Sequence, residues 1–156
     1  MAVTAADVMT VPAVVILPEA DVREIARLLT DRQISAVPVC KPDGALVGIV
    51  SEGDILRPFR ESTRQRRDWW LGAVAAGEAL PQSFLDSMRN DTRTAAEMMT
   101  RRVVTANEDT TLPMLAELMV TNGVKRVPIL RDGRVVGIVS RADVIAALAR
   151  TPAMLV

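Results

Sequence analysis

The sequence predicts a mixed α/β (α+β) protein: two β-α-β-β-α units with a helical insert between them. Three observations carry that prediction. One octapeptide is written almost twice, GIVSEGDI at 48–55 and GIVSRADV at 137–144. A hairpin signal stands just before each copy, PDGA at 42–45 and RDGR at 131–134, where Gly tolerates a positive φ. Upstream of each hairpin runs an apolar stripe of helical period: Val22, Ile25, Ala26 and Leu29 in one copy, Leu112, Leu115, Ala116 and Met119 in the other.

The repeat extends well beyond the octapeptide. AADVMT at 5–10 matches AAEMMT at 95–100, an offset of 90. Val14 then matches Val104, and ISAVPV at 34–39 matches VKRVPI at 124–129. One deleted residue changes the offset to 89, so that Gly44 pairs with Gly133, Ser51 with Ser140 and Asp54 with Asp143. Agreement of this kind over most of about 55 residues is an internal duplication.

Each element follows in order. Ala13–Ile16 and Val103–Val104 read as short opening strands, and the striped helices come next. AVPVC (36–40) and RVPIL (126–130) read as strands, turned by the hairpins into LVGIVS (46–51) and VVGIVS (135–140). A second helix opens at Ser51 or Ser140. The predicted organisation is 1–58 for the first repeat, 59–91 for the insert, 92–150 for the second repeat and 151–156 for a tail. A unit this small buries too little surface alone, so the copies are expected to pack on each other.

Composition narrows the function. The chain has 156 residues, 49% hydrophobic and 24% charged, with a formal net charge of zero. That balance supports a folded core and offers no basic excess for nucleic acid. There is no His and no Tyr, which removes the commonest general base and the commonest metal ligand. A Ser-His-Asp or Cys-His site is impossible within the chain. The phosphate-loop and dinucleotide glycine motifs are absent. An enzyme using the carboxylates has no base–nucleophile pair to support it, so no catalytic residue, catalytic cofactor or metal site is expected. The single Cys40 cannot form an internal disulfide and reads as a small buried hydrophobe. No signal peptide and no run of eighteen apolar residues is present, so a cytoplasmic location without membrane contact is expected.

The initial VMT and MMT, the VPV and VPI strands, and G-I-V-S-x-x-D-[IV] in both copies together resemble the cystathionine-β-synthase (CBS) domain, found as tandem pairs called Bateman modules. The resemblance covers both repeats and not the insert. It implies two repeats packed about a pseudo-twofold axis, in homodimeric, disc-like assemblies. It also implies clefts for adenine-containing ligands such as AMP, ADP, ATP or S-adenosylmethionine, with a regulatory rather than catalytic role.

Two roles compete for Ser-x-x-Asp. As a helix cap, the Ser oxygen accepts a backbone N–H and the acid at the third position favours the positive end of the helix. As a ligand site, the same helix N-terminus receives phosphate, Ser51 or Ser140 donates to it, and Asp54 or Asp143 accepts from both ribose hydroxyls. The resemblance implies crossed clefts. Ser51 and Asp54 would face Thr100, Val104, Val124, Lys125 and Arg126 of the other copy. Ser140, Arg141 and Asp143 would face Thr10, Val14, Ile34, Ser35 and Ala36. The two cations opposite Ser51–Asp54 are expected to make that cleft the better one for ligands with more phosphates. The valines and the isoleucine also read as plain core, and Lys125 and Arg126 as a solvated strand end.

All four aromatics, Phe59, Trp69, Trp70 and Phe84, lie in the insert, so neither repeat can stack adenine on an aromatic of its own. The insert reads as one or two helices broken near Gly77 and Pro81. Its basic run and Trp69/Trp70 pair could serve an unknown effector protein. With the apolar tail PAMLV, it also suggests self-association. The alternative to a ligand sensor is a structural dimerisation module with vestigial clefts.

Overall fold

The computed structural model describes residues 2–61 and 89–150, with side chains resolved outside 58–61. The readings of helices near Gly77 and Pro81, of the Trp69/Trp70 surface and of the PAMLV tail fall outside the described residues.

The first repeat contains α1 (Ala5–Val8), α2 (Val22–Arg32), β1 (Ala36–Cys40), β2 (Leu46–Ser51) and α3 (Glu52–Glu61). The second contains α4 (Ala95–Met98), β3 (Ala106–Asn107), α5 (Leu112–Asn122), β4 (Arg126–Arg131), β5 (Arg134–Ser140) and α6 (Arg141–Arg150). The mixed α+β class is as expected. The striped helices bury Val22, Ile25 and Leu29 in α2 and Leu112, Leu115 and Met119 in α5, which is the face their period selects.

Both hairpins form as antiparallel pairs. Ala36 lies opposite Ser51 and Arg126 opposite Ser140, and each pair shifts register at the matching place, Val39/Cys40 and Ile129/Leu130. In the second hairpin Asp132 and Gly133 both take positive φ, 52° and 77°, which suits the twist of a tight two-residue turn.

The opening strands differ from expectation. Val103 and Val104 are not in a strand; β3 begins two residues later and runs parallel to β4, with Ala106 opposite Ile129. In the first repeat the matching contact shrinks to one bridge, Ile16 with Val39. There Ile16 donates to Pro38 C=O at 3.0 Å and accepts from Cys40 N–H at 2.8 Å. The next donor of a parallel ladder would be residue 18, which is a proline without an N–H, so the strand stops. Glu108 at the matching place keeps its N–H.

The four-residue helices were not expected, and they exchange between repeats. Ala5 N–H donates to Thr110 C=O at 2.8 Å, and Ala95 N–H donates to Ala20 C=O at 2.8 Å, the same contact ninety residues apart. Ala5 is fully buried with Leu112, Leu115, Val127 and Ile129, while Ala95 and Met98 are buried with Val22, Ile25, Val37 and Val50. Each hydrophobic core is therefore completed by the opening segment of the other repeat, which ties the two copies into one unit.

Candidate functional site

Ser51 ends β2 and Ser140 ends β5, so each Ser-x-x-Asp sits where a strand turns into a helix. Both are closed as reciprocal caps. In the second copy Ser140 N–H donates to Asp143 Oδ2 at 2.9 Å, and Asp143 N–H returns to Ser140 Oγ at 3.1 Å. In the first, Asp54 Oδ2 accepts from Ser51 N–H at 2.8 Å and from its hydroxyl at 3.1 Å. Asp54 N–H points back to Ser51 Oγ at 3.4 Å. The capping role is thus present in both copies, because an acid at the third position reaches the orphan N–H at the helix start.

Asp54 is further committed. Its Oδ1 accepts from Arg57 Nη2 at 2.6 Å, and its carboxylate is only 5% exposed, the one buried charge among the described residues. Asp143 is half-buried, and its Oδ1 takes no hydrogen bond among the described residues.

The residues expected to cross between copies divide. The two threonines cross: Thr10 pairs with Ile138 through N–H···O bonds of 2.8 and 3.2 Å, two residues before Ser140. Thr100 pairs likewise with Ile49, two residues before Ser51, at 2.9 and 3.0 Å. The pre-proline segments stay with their own copies. Ser35 C=O accepts from Glu52 N–H at 2.9 Å, and Lys125 C=O accepts from Arg141 N–H at 3.0 Å. Val14 and Ile34 pack on the core of the first repeat, Val104 and Val124 on that of the second. Ile34, Ser35 and Ala36 therefore border Ser51–Asp54 of their own copy, and Val124, Lys125 and Arg126 border Ser140–Asp143. The cause is the hairpin, whose short turn pairs β1 with β2 and β4 with β5 of the same copy. Among these residues the Arg126 side chain does reach across the copies: its Nη1 donates to Ser35 Oγ, so this cation is engaged rather than free. Lys125 and Arg141 are exposed.

Two contributors went unread in the sequence. A Cβ built on Gly48 would lie 2.5 Å from Met99 Sδ and 3.0 Å from Met99 Cβ; on Gly137 it would meet Met9 Sδ at 2.5 Å. The Gly of G-I-V-S is there because the methionine of the other copy's opening segment lies against the strand. The duplicated Met–Thr and Gly were visible signals, but their contact was not. The second is Arg93. Its guanidinium donates to Asp54 C=O at 3.2 Å and to Ile55 C=O at 2.9 Å, while Asp91 grips it at 2.9 and 2.7 Å. Hydrogen bonding to Arg93 holds the Asp91 carboxyl below its ordinary range, against the opposing effect of burial. Among the described residues no cluster of His, Cys, Asp or Glu could hold a metal ion, and no helix is long and apolar enough to cross a membrane.

The CBS domain family model matches residues 5–61 and 95–150. The chain is 34% identical to the uncharacterized protein MJ1426 of Methanocaldococcus jannaschii, over 91% of this chain and 89% of that protein. It is 26% identical to the chloroplastic CBS domain-containing protein CBSX2 of Arabidopsis thaliana, over 85% of this chain but only 57% of that protein. The crystal structure of CBSX2 in complex with AMP superposes with a TM-score of 0.71 at 24% identity, covering 96% of this chain and 98% of that one. The CBS domain pair of MJ0100, in complex with 5′-methylthioadenosine and S-adenosyl-L-methionine, gives 0.72 at 24% identity and the same coverage. With both of its repeats matched and their opening segments exchanged in a shared fold, the chain belongs to the CBS domain family and carries the domain as a tandem pair.

Proposed function

We propose that this protein is a regulatory module that binds an adenosyl ligand (AMP, ADP, ATP or S-adenosylmethionine) at its Ser-x-x-Asp turns and signals by a change in how the two repeats sit together. The observation that carries the reading is the duplicated turn: a helix start, a serine, a carboxylate and a pre-proline backbone segment brought together twice. A helix start offers N–H groups to phosphate, and a carboxylate suits a vicinal diol. The ligands held by CBSX2 and MJ0100 point to the same chemistry. On this reading one site comprises Val14, Ile34, Ser35, Ala36, Ser51 and Asp54, with Thr100 at its edge. The other comprises Val104, Val124, Lys125, Arg126, Ser140, Arg141 and Asp143, with Thr10. Catalysis forms no part of the proposal, and an intracellular location follows from the ligand class.

Coupling to a partner would run through the exchanged segments, since a ligand that moves one turn also moves the threonine strand of the other repeat. Self-association is part of the same proposal. Leu56, Val120 and Ile145 are 49%, 82% and 64% exposed. Glu52 borders the groove beside Leu56, and Arg141 holds its place in the other repeat, so a second copy could meet it with opposite charge. The Trp69/Trp70 segment is a candidate contact for an effector protein.

The test is a thermal-shift and titration panel with AMP, ADP, ATP, NAD and S-adenosylmethionine. A ligand at a hundred times its Kd should stabilise the fold by about 2.7 kcal/mol. Silence across the panel would leave the second reading, a structural dimerisation module. That reading is favoured by one observation: both Ser-x-x-Asp turns already satisfy themselves as caps.

A further inference from the structure

The two turns share their serine and their aspartate and then diverge further. Asp54 is followed by Ile55, Leu56, Arg57 and Pro58; Asp143 is followed by Val144, Ile145, Ala146 and Ala147. Arg57 lies one helical turn after Asp54, within i,i+3 reach, and closes on its Oδ1 at 2.6 Å. Asp54 Oδ2 is shared between the Ser51 N–H and hydroxyl. Both oxygens of this nearly buried carboxylate are therefore taken. On the other side Ala146 can donate nothing, and Asp143 presents Oδ1 without a partner among the described residues.

A vicinal diol is bound through two O–H donors and needs two carboxylate acceptor positions at once. Asp143 has them with no rearrangement; Asp54 does not until Arg57 leaves. We propose that Arg57 is a latch that makes the two clefts unequal, with Asp143 the ribose acceptor of the resting protein and Asp54 withheld. This rests on the nucleotide-binding reading above and adds the order in which the two sites are available. Arg57 is 56% exposed, so it can swing away into solvent; its pairing with Asp54 is a switchable contact rather than part of the core. The Asp54 turn is held a second time by Arg93 on its backbone carbonyl, a contact whose counterpart in the other copy, ninety residues earlier, would fall to Val3.

The test is isothermal titration with adenosine, which lacks a phosphate that could draw Arg57 off. Wild-type protein should bind one adenosine per chain, and Asp143→Asn should weaken that binding at least tenfold. Arg57→Ala, which writes into the first repeat the residue the second already has at that place, should raise the stoichiometry to two. Asp143→Asn added to Arg57→Ala should bring it back to one, and so should Asp54→Asn added to Arg57→Ala. Two sites in the wild type, or one site before and after Arg57→Ala, would overturn the latch while leaving nucleotide binding in place. Absence of binding by adenosine in every variant overturns the latch, and if AMP also fails to bind, the nucleotide reading falls with it.

Discussion

Helix α3 carries a proline at its seventh residue, and the structure compensates from forty residues away. In an α-helix the C=O of Asp54 would accept from the N–H of residue 58, but Pro58 has none. Arg93 supplies the donor, at 3.2 Å to Asp54 C=O and 2.9 Å to Ile55 C=O, with Asp91 fixing the guanidinium through a bidentate pair. The perturbation is Arg93→Met, which keeps an apolar stem and removes every donor. Charge-assisted hydrogen bonds contribute about 1.5–3 kcal/mol each, and a buried carbonyl left alone costs about 1–3 kcal/mol. These overlap, and the Arg93 side chain is 24% exposed, so water recovers part of the loss. The expected cost is about 2–3 kcal/mol in urea unfolding, or a melting point roughly 4–12 °C lower at about 2–4 °C per kcal/mol for a chain of this size. Pro58→Ala restores the missing N–H. In that background the Asp54 carbonyl has a helical partner, so Arg93→Met should cost about 1 kcal/mol less, one net hydrogen bond. The double-mutant cycle isolates that coupling. Additivity within about 0.3–0.5 kcal/mol would refute the claim that Arg93 replaces the donor that proline lacks.

The remaining predictions concern the close methionine contact, acid stability and the thiol. Gly48→Ala should destabilise the fold by about 1–3 kcal/mol by overpacking against Met99, and Met99→Ala should recover part of this; equal melting points for wild type and Gly48→Ala would remove the contact argument. The Asp91 carboxyl is held below its ordinary range by Arg93, so its contribution is present above an unfolded-state pKa of about 3.9 and is lost as pH falls through the lower folded value. Melting curves from pH 5 downward should therefore fall more steeply for wild type than for Asp91→Asn, and parallel curves would refute this. Cys40 is 2% exposed, and burial, with a smaller push from Asp43, raises its thiol to about 11. A thiol reagent at pH 8 should label it only in denaturant, and rapid labelling of the native protein would contradict the burial.

The position of Ser-x-x-Asp was legible because it depends on local chemistry: a strand, a hairpin and a cap recur at a fixed offset. Its surroundings were read less well. The resemblance set the pre-proline segments opposite the other copy's turn; the backbone holds Ser35 and Ala36 beside Ser51 of their own copy, while the threonines cross. Nothing in a residue's own neighbourhood tells which copy its strand will face. Arg57 stood three residues after Asp54 and could have been flagged by helical spacing alone. Arg93 could not, since only the fold brings it to α3.

The sequence by itself determined the duplication, the amphipathic helices and the hairpins. Each is a matter of period or turn conformation within a few residues, where apolar spacing and the φ demands of Asp132 and Gly133 decide the outcome. Even the single-residue bridge at Ile16 was written there, in Pro18. The tertiary structure alone decided that α1 and α4 change places, that Met9 and Met99 cover the glycines of the opposite repeat, and that Arg93 reaches the backbone of the Asp54 turn. Two nearly identical motifs carry the same local preferences. What separates them is contact with groups far along the chain, which no local pattern encodes.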